Sequence, residues 1–236
     1  MAEKYYDISP YAWCGNNPVK FVDPDGSDIK FYQYSDKGIA KEVKFAQLDI
    51  NTQKALILFT KTKEGYNFLK QFATAGESFG NKSVGGVIKF SENGKFSQHD
   101  YNIVQMSLIE NSNYNGDANV RIKGNLKFDI RLNTKRDDNN PENIAITIAH
   151  ESFIHLDPNN RISKLVDLYE QKDIKGFNEF RNATILRLDK GKKDHVDYIN
   201  KRNDSFSRMT LMTKQNPILI NAYNNHNKNY TSFKKK

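Results

Sequence analysis

The 236-residue sequence predicts an α+β domain with a small, partly antiparallel sheet and one buried helix at its centre. Three observations predict this. Short stretches alternate apolar and polar residues with the period of a strand, most cleanly 126–132, Leu-Lys-Phe-Asp-Ile-Arg-Leu. Longer stretches carry apolar residues at helical spacing, as in Ala55, Leu56 and Phe59, then Tyr66, Leu69 and Phe72. Residues 140–155 are apolar around almost the whole circumference of a helix, the mark of a buried one.

In chain order, 29–34 alternate and predict a strand. Asp36-Lys37-Gly38 is a turn, and 42–45 return as its partner. Residues 52–72 read as mostly helical with a break at Gly65. A Gly/Ser-rich passage, 75–86, follows. Residues 86–90 and 95–97 then flank Glu92-Asn93-Gly94, a hairpin signal. His99 lies in or just past the second arm, as an ordinary polar histidine on a strand. Residues 111–117 form a loop, 126–132 a strand, and 133–140 a polar, solvated loop containing Arg136-Asp137-Asp138-Asn139.

The buried helix carries the chemistry. Asn140 suits the N-cap, Pro141 the first helical position, and Glu142 the positive end of the helix dipole; Asp157-Pro158 stops the helix. Its last turn reads His150-Glu151-Ser152-Phe153-Ile154-His155. Buried polar groups are costly unless paired or metal-bound, so two histidines and a glutamate here require a reason. Zinc is one. A His-Glu-x-x-His helix places two imidazoles on one face with the glutamate beside them as general base. This chain has one residue more, which puts His150 and His155 about 140° apart on an ideal helix. A π-bulge would absorb the extra residue and bring both to one ion. Glu151 and His155, at i and i+4, offer a second ligand geometry with His150 nearby. Hydrogen bonding among the three without metal is the alternative.

This spacing resembles that of the dipeptidyl-peptidase III family of zinc peptidases. The order of an alternating strand before the helix resembles the zincin architecture. That resemblance implies a strand bordering the cleft whose edge can hold an extended peptide by strand addition. A zinc hydrolase needs a third protein ligand from a separate element. His195 is the first choice for it, with Glu170 and Glu179 next. Asp194 or Asp197 would orient an imidazole N–H, and Tyr198 would help stabilise an oxyanion. Asp194 as a helix N-cap before a surface histidine is the plainer reading of that segment.

Around these residues, Asn160 can cap a helix bearing Ile162, Leu165, Val166 and Tyr169. Gly176 interrupts it, and Phe177, Phe180, Thr184 and Leu188 continue a helical stripe to Gly191. The Asn/Lys/Tyr-rich end, 221–236, reads as frayed and solvated. A nuclease reading, with His226 as base among phosphate-binding lysines, is disfavoured because the basic residues are scattered rather than gathered in a cradle.

Composition bounds the rest. Fifteen Phe and twelve Tyr supply large core pieces to a chain only 37% hydrophobic. A net charge of +8 permits contact with nucleic acid or an acidic surface. The single cysteine, Cys14, excludes an internal disulfide and a thiolate zinc cluster. No apolar run approaches the ~18 residues of a membrane span, and no secretory signal is visible.

Residues 5–26 differ from everything after them. Tyr5-Tyr6-Asp7 through Asn16-Asn17-Pro18 and on to Asp23-Pro24-Asp25-Gly26 resembles the end of the core of RHS/YD-repeat proteins. In that family a Tyr-rich segment leads to Asn-Asn-Pro and Pro-x4-Asp-Pro-x-Gly before a variable C-terminal domain. The resemblance implies a polymorphic toxin or effector whose repeat shell encloses its C-terminal domain. It also implies self-cleavage through an aspartate of the motif, here Asp23, although Ser27 stands where the family has an aliphatic residue. A cognate immunity protein, delivery into a target cell and a role in bacterial competition are implied in the same way.

The expected organisation is therefore an RHS core end at 1–26, a zincin-like metallopeptidase toxin domain at 27–220, and a basic flexible tail at 221–236. His150, His155 and His195 would hold Zn²⁺, and Glu151 would act as general base on a peptide bond of a target-cell protein. A nuclease toxin and a non-catalytic partner-binding tail are the alternatives.

Overall fold

The structure, a computed structural model, describes residues 28–34, 40–106, 115–135, 139–184 and 203–231. It is α+β. A five-stranded sheet contains β1 (Ile29–Tyr34), β2 (Ala40–Val43), β5 (Asp100–Met106), β6 (Gly116–Lys123) and β7 (Asn125–Asn133), in the order β2-β1-β5-β7-β6. The three inner strands are parallel, and each edge strand pairs antiparallel with its neighbour. A separate two-stranded ribbon pairs β3 (Ser78–Asn81) with β4 (Gly86–Lys89).

The alternation seen in the sequence decides which face of the sheet is dry. Phe31, Ile103, Ile130 and Ala118 stand in register across β1, β5, β7 and β6. With Tyr101, Phe128 and Val120 they join one apolar core beneath the helices. The opposite face carries charge. Lys30 and Lys127 pair with Asp100, and Arg121 with Asp129.

Helices α1 (Ile50–Thr60) and α2 (Lys63–Lys70) follow β2, and α3 (Pro141–His150) follows β7 and packs against α1. After them come α4 (Arg161–Glu170), α5 (Ile174–Thr184), α6 (Asn203–Gln215) and α7 (Ile220–Thr231). No described helix is long and apolar enough to cross a membrane.

Several expectations are corrected. The hairpin at Asn93-Gly94 does not form: β4 pairs with β3, and 91–99 contain no strand, with a turn at 95–98. Gly94 instead lies against the end of α2, donating its N–H to the Ala73 carbonyl at 2.8 Å, while Phe96 N–H reaches Gln71 O at 2.6 Å. A Cβ at Gly94 would stand 2.1 Å from Lys70 O, so the glycine serves close approach rather than a hairpin turn. The helix break expected at Gly65 lies earlier, at Lys61 and Thr62. Thr62 caps α2 through Gly65 N–H, and Gly65 is required because a Cβ would stand 2.1 Å from Phe59 O. Asn160 is left-handed (φ 57°) and makes no cap bond; Asp157 Oδ1 accepts the Ile162 N–H at 3.1 Å in its place. Gly176 lies inside α5, and the break comes before it, at Lys172 with φ 59°. The tail expected to be frayed from 221 is helical as far as Thr231, with Ala222 and His226 buried. Strands β5 and β6 were not anticipated. β6 takes the edge beside the helix end, so 126–132 is an inner strand rather than the border of the cleft.

Candidate metal centre

The site is built at the end of α3. Asn140 Oδ1 accepts the Asn143 N–H at 2.8 Å and Pro141 occupies the first turn, as the sequence predicts. Every residue from Ile144 to His150 is buried. Beyond His150 the helix widens, and Glu151–Leu156 is a π-helix. Asp157 N–H reaches the Ser152 carbonyl, five residues back, at 2.9 Å.

Side chains from distant elements hold this wider turn. The hydroxyls of Tyr101 and Ser152 share a hydrogen bond of 2.8 Å. Ser205 Oγ donates to the Phe153 carbonyl at 2.8 Å, and an Arg161 guanidinium nitrogen donates to the His155 carbonyl at 2.6 Å. These donors engage carbonyls near the end of the helix. Phe153 is fully buried against Phe59 and Phe68, and the Arg208 guanidinium lies 4.1 Å from the centre of its ring.

The π turn brings residues i and i+5 to one face. His150 Nε2 and His155 Nε2 are 3.1 Å apart, and the ring centres 4.9 Å. Potential ligand atoms of His150, Glu151 and His155 all lie within 4.8 Å of one another, so the cluster can hold a metal ion. Two imidazole nitrogens bound tetrahedrally at ~2.0–2.1 Å from zinc would be about 3.3 Å apart, so the observed spacing fits to within a few tenths of an ångström. Without a cation, a proton must lie between them, because two facing lone pairs repel.

Burial pushes the Glu151 carboxyl well above the usual carboxylate range, Asp117 pushes it further, and Arg131 draws it back. A cation held by the two imidazoles would reverse that direction and favour the carboxylate. Asp117 and Arg131 face each other on β6 and β7 and form an ion pair, and β6 packs beside the π turn. A cleft of about 190 Å³ lies nearby, lined in part by Asn115, Asn133, Asn143, Thr147, Asn225 and His226.

A further histidine arrives from α7. His226 Nε2 lies 2.9 Å from His150 Nδ1, with the two rings edge to face at 4.7 Å. His226 touches His150 but is not one of the three residues whose ligand atoms converge.

Of the residues singled out in the sequence, the structure brings His150, Glu151 and His155 together. Among the next choices for a third ligand, Glu170 and Glu179 do not join them. Glu170 is exposed and stands 4.0 Å from His99, and Glu179 is exposed and pairs with Lys175 at 3.9 Å. Asp23, Asp194, His195, Asp197 and Tyr198 lie outside the described residues. Sequence reasoning missed His226 as a neighbour of the site. The signal was there: Leu219, Ala222 and His226 repeat at helical spacing and are the buried stripe of this region. No protein-family model, curated protein or solved structure matches this chain.

Proposed function

We propose that this chain carries the toxin domain of an RHS-type polymorphic effector, and that the domain is a zinc-dependent peptidase acting on a target-cell protein. The observation that carries the peptidase reading is the convergence of His150 Nε2 and His155 Nε2 to 3.1 Å beside the Glu151 carboxyl. Two imidazoles with a carboxylate beside them suit zinc, the nitrogens as ligands and the carboxylate as a base. The toxin reading rests on the resemblance of residues 5–26 to the RHS core end. It brings with it a repeat shell and a cognate immunity protein as partners.

Zinc, when bound, supplies Lewis acidity that polarises a carbonyl and lowers the pKa of water. The residues supply the rest. His150 and His155 would hold the ion. Glu151, as a carboxylate, would take a proton from the attacking water and return it to the leaving amine, so the proton balance closes. β6 is an edge of the sheet, and that edge would take an extended peptide by strand addition. His195, within 185–202, remains the proposed third ligand.

The test is elemental analysis of purified protein beside His155→Ala and Glu151→Gln, followed by incubation with a protein substrate panel. About one zinc per chain is expected, lost in His155→Ala and retained in Glu151→Gln, with cleavage abolished in the first and severely reduced in the second. Wild-type protein that binds no zinc when zinc is supplied would overturn the reading. Nucleic-acid degradation that survives Glu151→Gln would replace it with a nuclease.

A further inference from the structure

We infer that His226 is a positioning residue for the metal centre: it accepts the Nδ1–H of His150 and thereby fixes the tautomer that presents Nε2 to the ion. The inference rests on the metal reading above and adds the C-terminal helix to the machinery.

A neutral histidine carries one ring proton, and only the bare nitrogen can ligate. His150 has both nitrogens engaged. Nε2 faces His155 Nε2 at 3.1 Å, and Nδ1 faces His226 Nε2 at 2.9 Å. If Nε2 is to be a ligand, the proton must stand on Nδ1, and a donor there needs an acceptor. His226 Nε2 is the acceptor at hydrogen-bond distance. His226 must then carry its own proton on Nδ1, so the choice made at the ion propagates outward one ring.

The geometry separates this role from direct ligation. His226 reaches the nitrogen of His150 that faces away from His155, and it does not belong to the group whose ligand atoms lie within 4.8 Å. The contact is also sheltered. His150 is 2% and His226 9% exposed, so water competes weakly for the bond. The sequence separation is 76 residues, so this link forms only when α7 docks on α3. Partners of this kind orient a ligating ring and raise its basicity, and their loss weakens metal binding by about 10- to 100-fold.

The test measures zinc affinity of the full chain by competition with a chromophoric chelator, with cobalt(II) absorption as a second readout and thermal unfolding of each metal-free variant as a check on folding. His226→Ala is expected to weaken zinc binding by about 10- to 100-fold while leaving the cobalt band positions and intensities unchanged, because the ligand set is intact. His226→Gln, whose amide oxygen can accept the Nδ1–H, is expected to recover most of that affinity. His155→Ala is expected to abolish binding. Wild-type affinity in His226→Ala would overturn the positioning role while leaving the metal reading standing. An altered cobalt spectrum without rescue by Gln would make His226 a ligand instead. A wild type that binds neither metal would overturn the metal reading itself.

Discussion

His99 and His150 are buried to the same degree, 3% and 2% exposed, and they are wired in opposite ways. His99 packs edge to face on Tyr169, and neither of its ring nitrogens makes a well-formed hydrogen bond. Burial pushes its imidazole below the ordinary value, against the pull of the Glu170 and Asp100 carboxylates. His150 has a histidine on each nitrogen, and its neighbour Glu151 is a buried carboxyl shifted the other way. Burial alone therefore does not mark a site. What marks the candidate site is convergence of nitrogens on one point with a buried carboxyl beside them.

Glu151→Gln is expected to separate the two regions most. On the proposed peptidase reading, this change removes the general base and is expected to lower turnover by about 10²- to 10⁴-fold. Metal content should hold, and metal-free stability should not fall, because a neutral amide replaces a buried carboxyl. Steady-state kinetics beside elemental analysis reads both, and wild-type turnover would detach Glu151 from the chemistry. Next comes the wall of the π turn. Phe153→Ala should cost about 3–5 kcal/mol in urea unfolding, since the ring is fully buried between Phe59 and Phe68. It should weaken zinc binding as well. Unchanged affinity would show that the ring packs the core without shaping the metal pair. Tyr101→Phe is smaller. It deprives the buried Ser152 hydroxyl of its partner, and a loss of about 1–2 kcal/mol in the same titration is expected.

The smallest effects belong to His99. His99→Phe should leave zinc content untouched and change stability by less than about 1 kcal/mol at neutral pH, because no formed hydrogen bond is lost. Its signature is in the pH profile. A depressed imidazole contributes stability above its ordinary value of 6.5, and that contribution is lost as pH falls toward the depressed one. His99→Phe should flatten this acid-side loss. Glu77 has the opposite sign. Its carboxyl accepts the N–H groups of Ile29 and Thr74, and burial pushes it up from 4.5 to about 7. Its contribution is present below 4.5 and lost as pH rises through about 7. Between these values the two groups oppose each other, so the difference between wild-type and His99→Phe profiles isolates the imidazole. A difference that does not vary between pH 5 and 7 would contradict the depressed imidazole.

Local signals in the sequence carried a long way. Asn140 and Pro141 start α3 as their chemistry requires, because capping bonds form within a few residues. The alternation at 29–34 and 126–132 gives strands with the expected dry faces, because side-chain period is a property of the strand itself. The spacing of His150 and His155 also posed the right question: the pair can meet only if the helix takes in one extra residue, and the π segment is that residue's consequence. By itself, then, the sequence determined where the buried helix begins, which residues alternate, and which three side chains are near each other in chain order.

Tertiary structure decided the rest. The wider turn is held by Tyr101, Ser205 and Arg161, two of them on other elements far along the chain, which place hydroxyls and a guanidinium on its side chain and carbonyls. Parallel pairing of β1, β5 and β7 joins segments tens of residues apart, and with it the choice of β6 rather than β7 for the open edge. His226 reaches His150 only through the docking of α7, whose polar composition conceals a single buried stripe. The physical reason is common to all three. A cap or an alternation is settled by bonds and sterics within a turn or two. A bond between residues 51, 52 or 76 apart depends on which hydrophobic faces pack, and no local pattern encodes that choice.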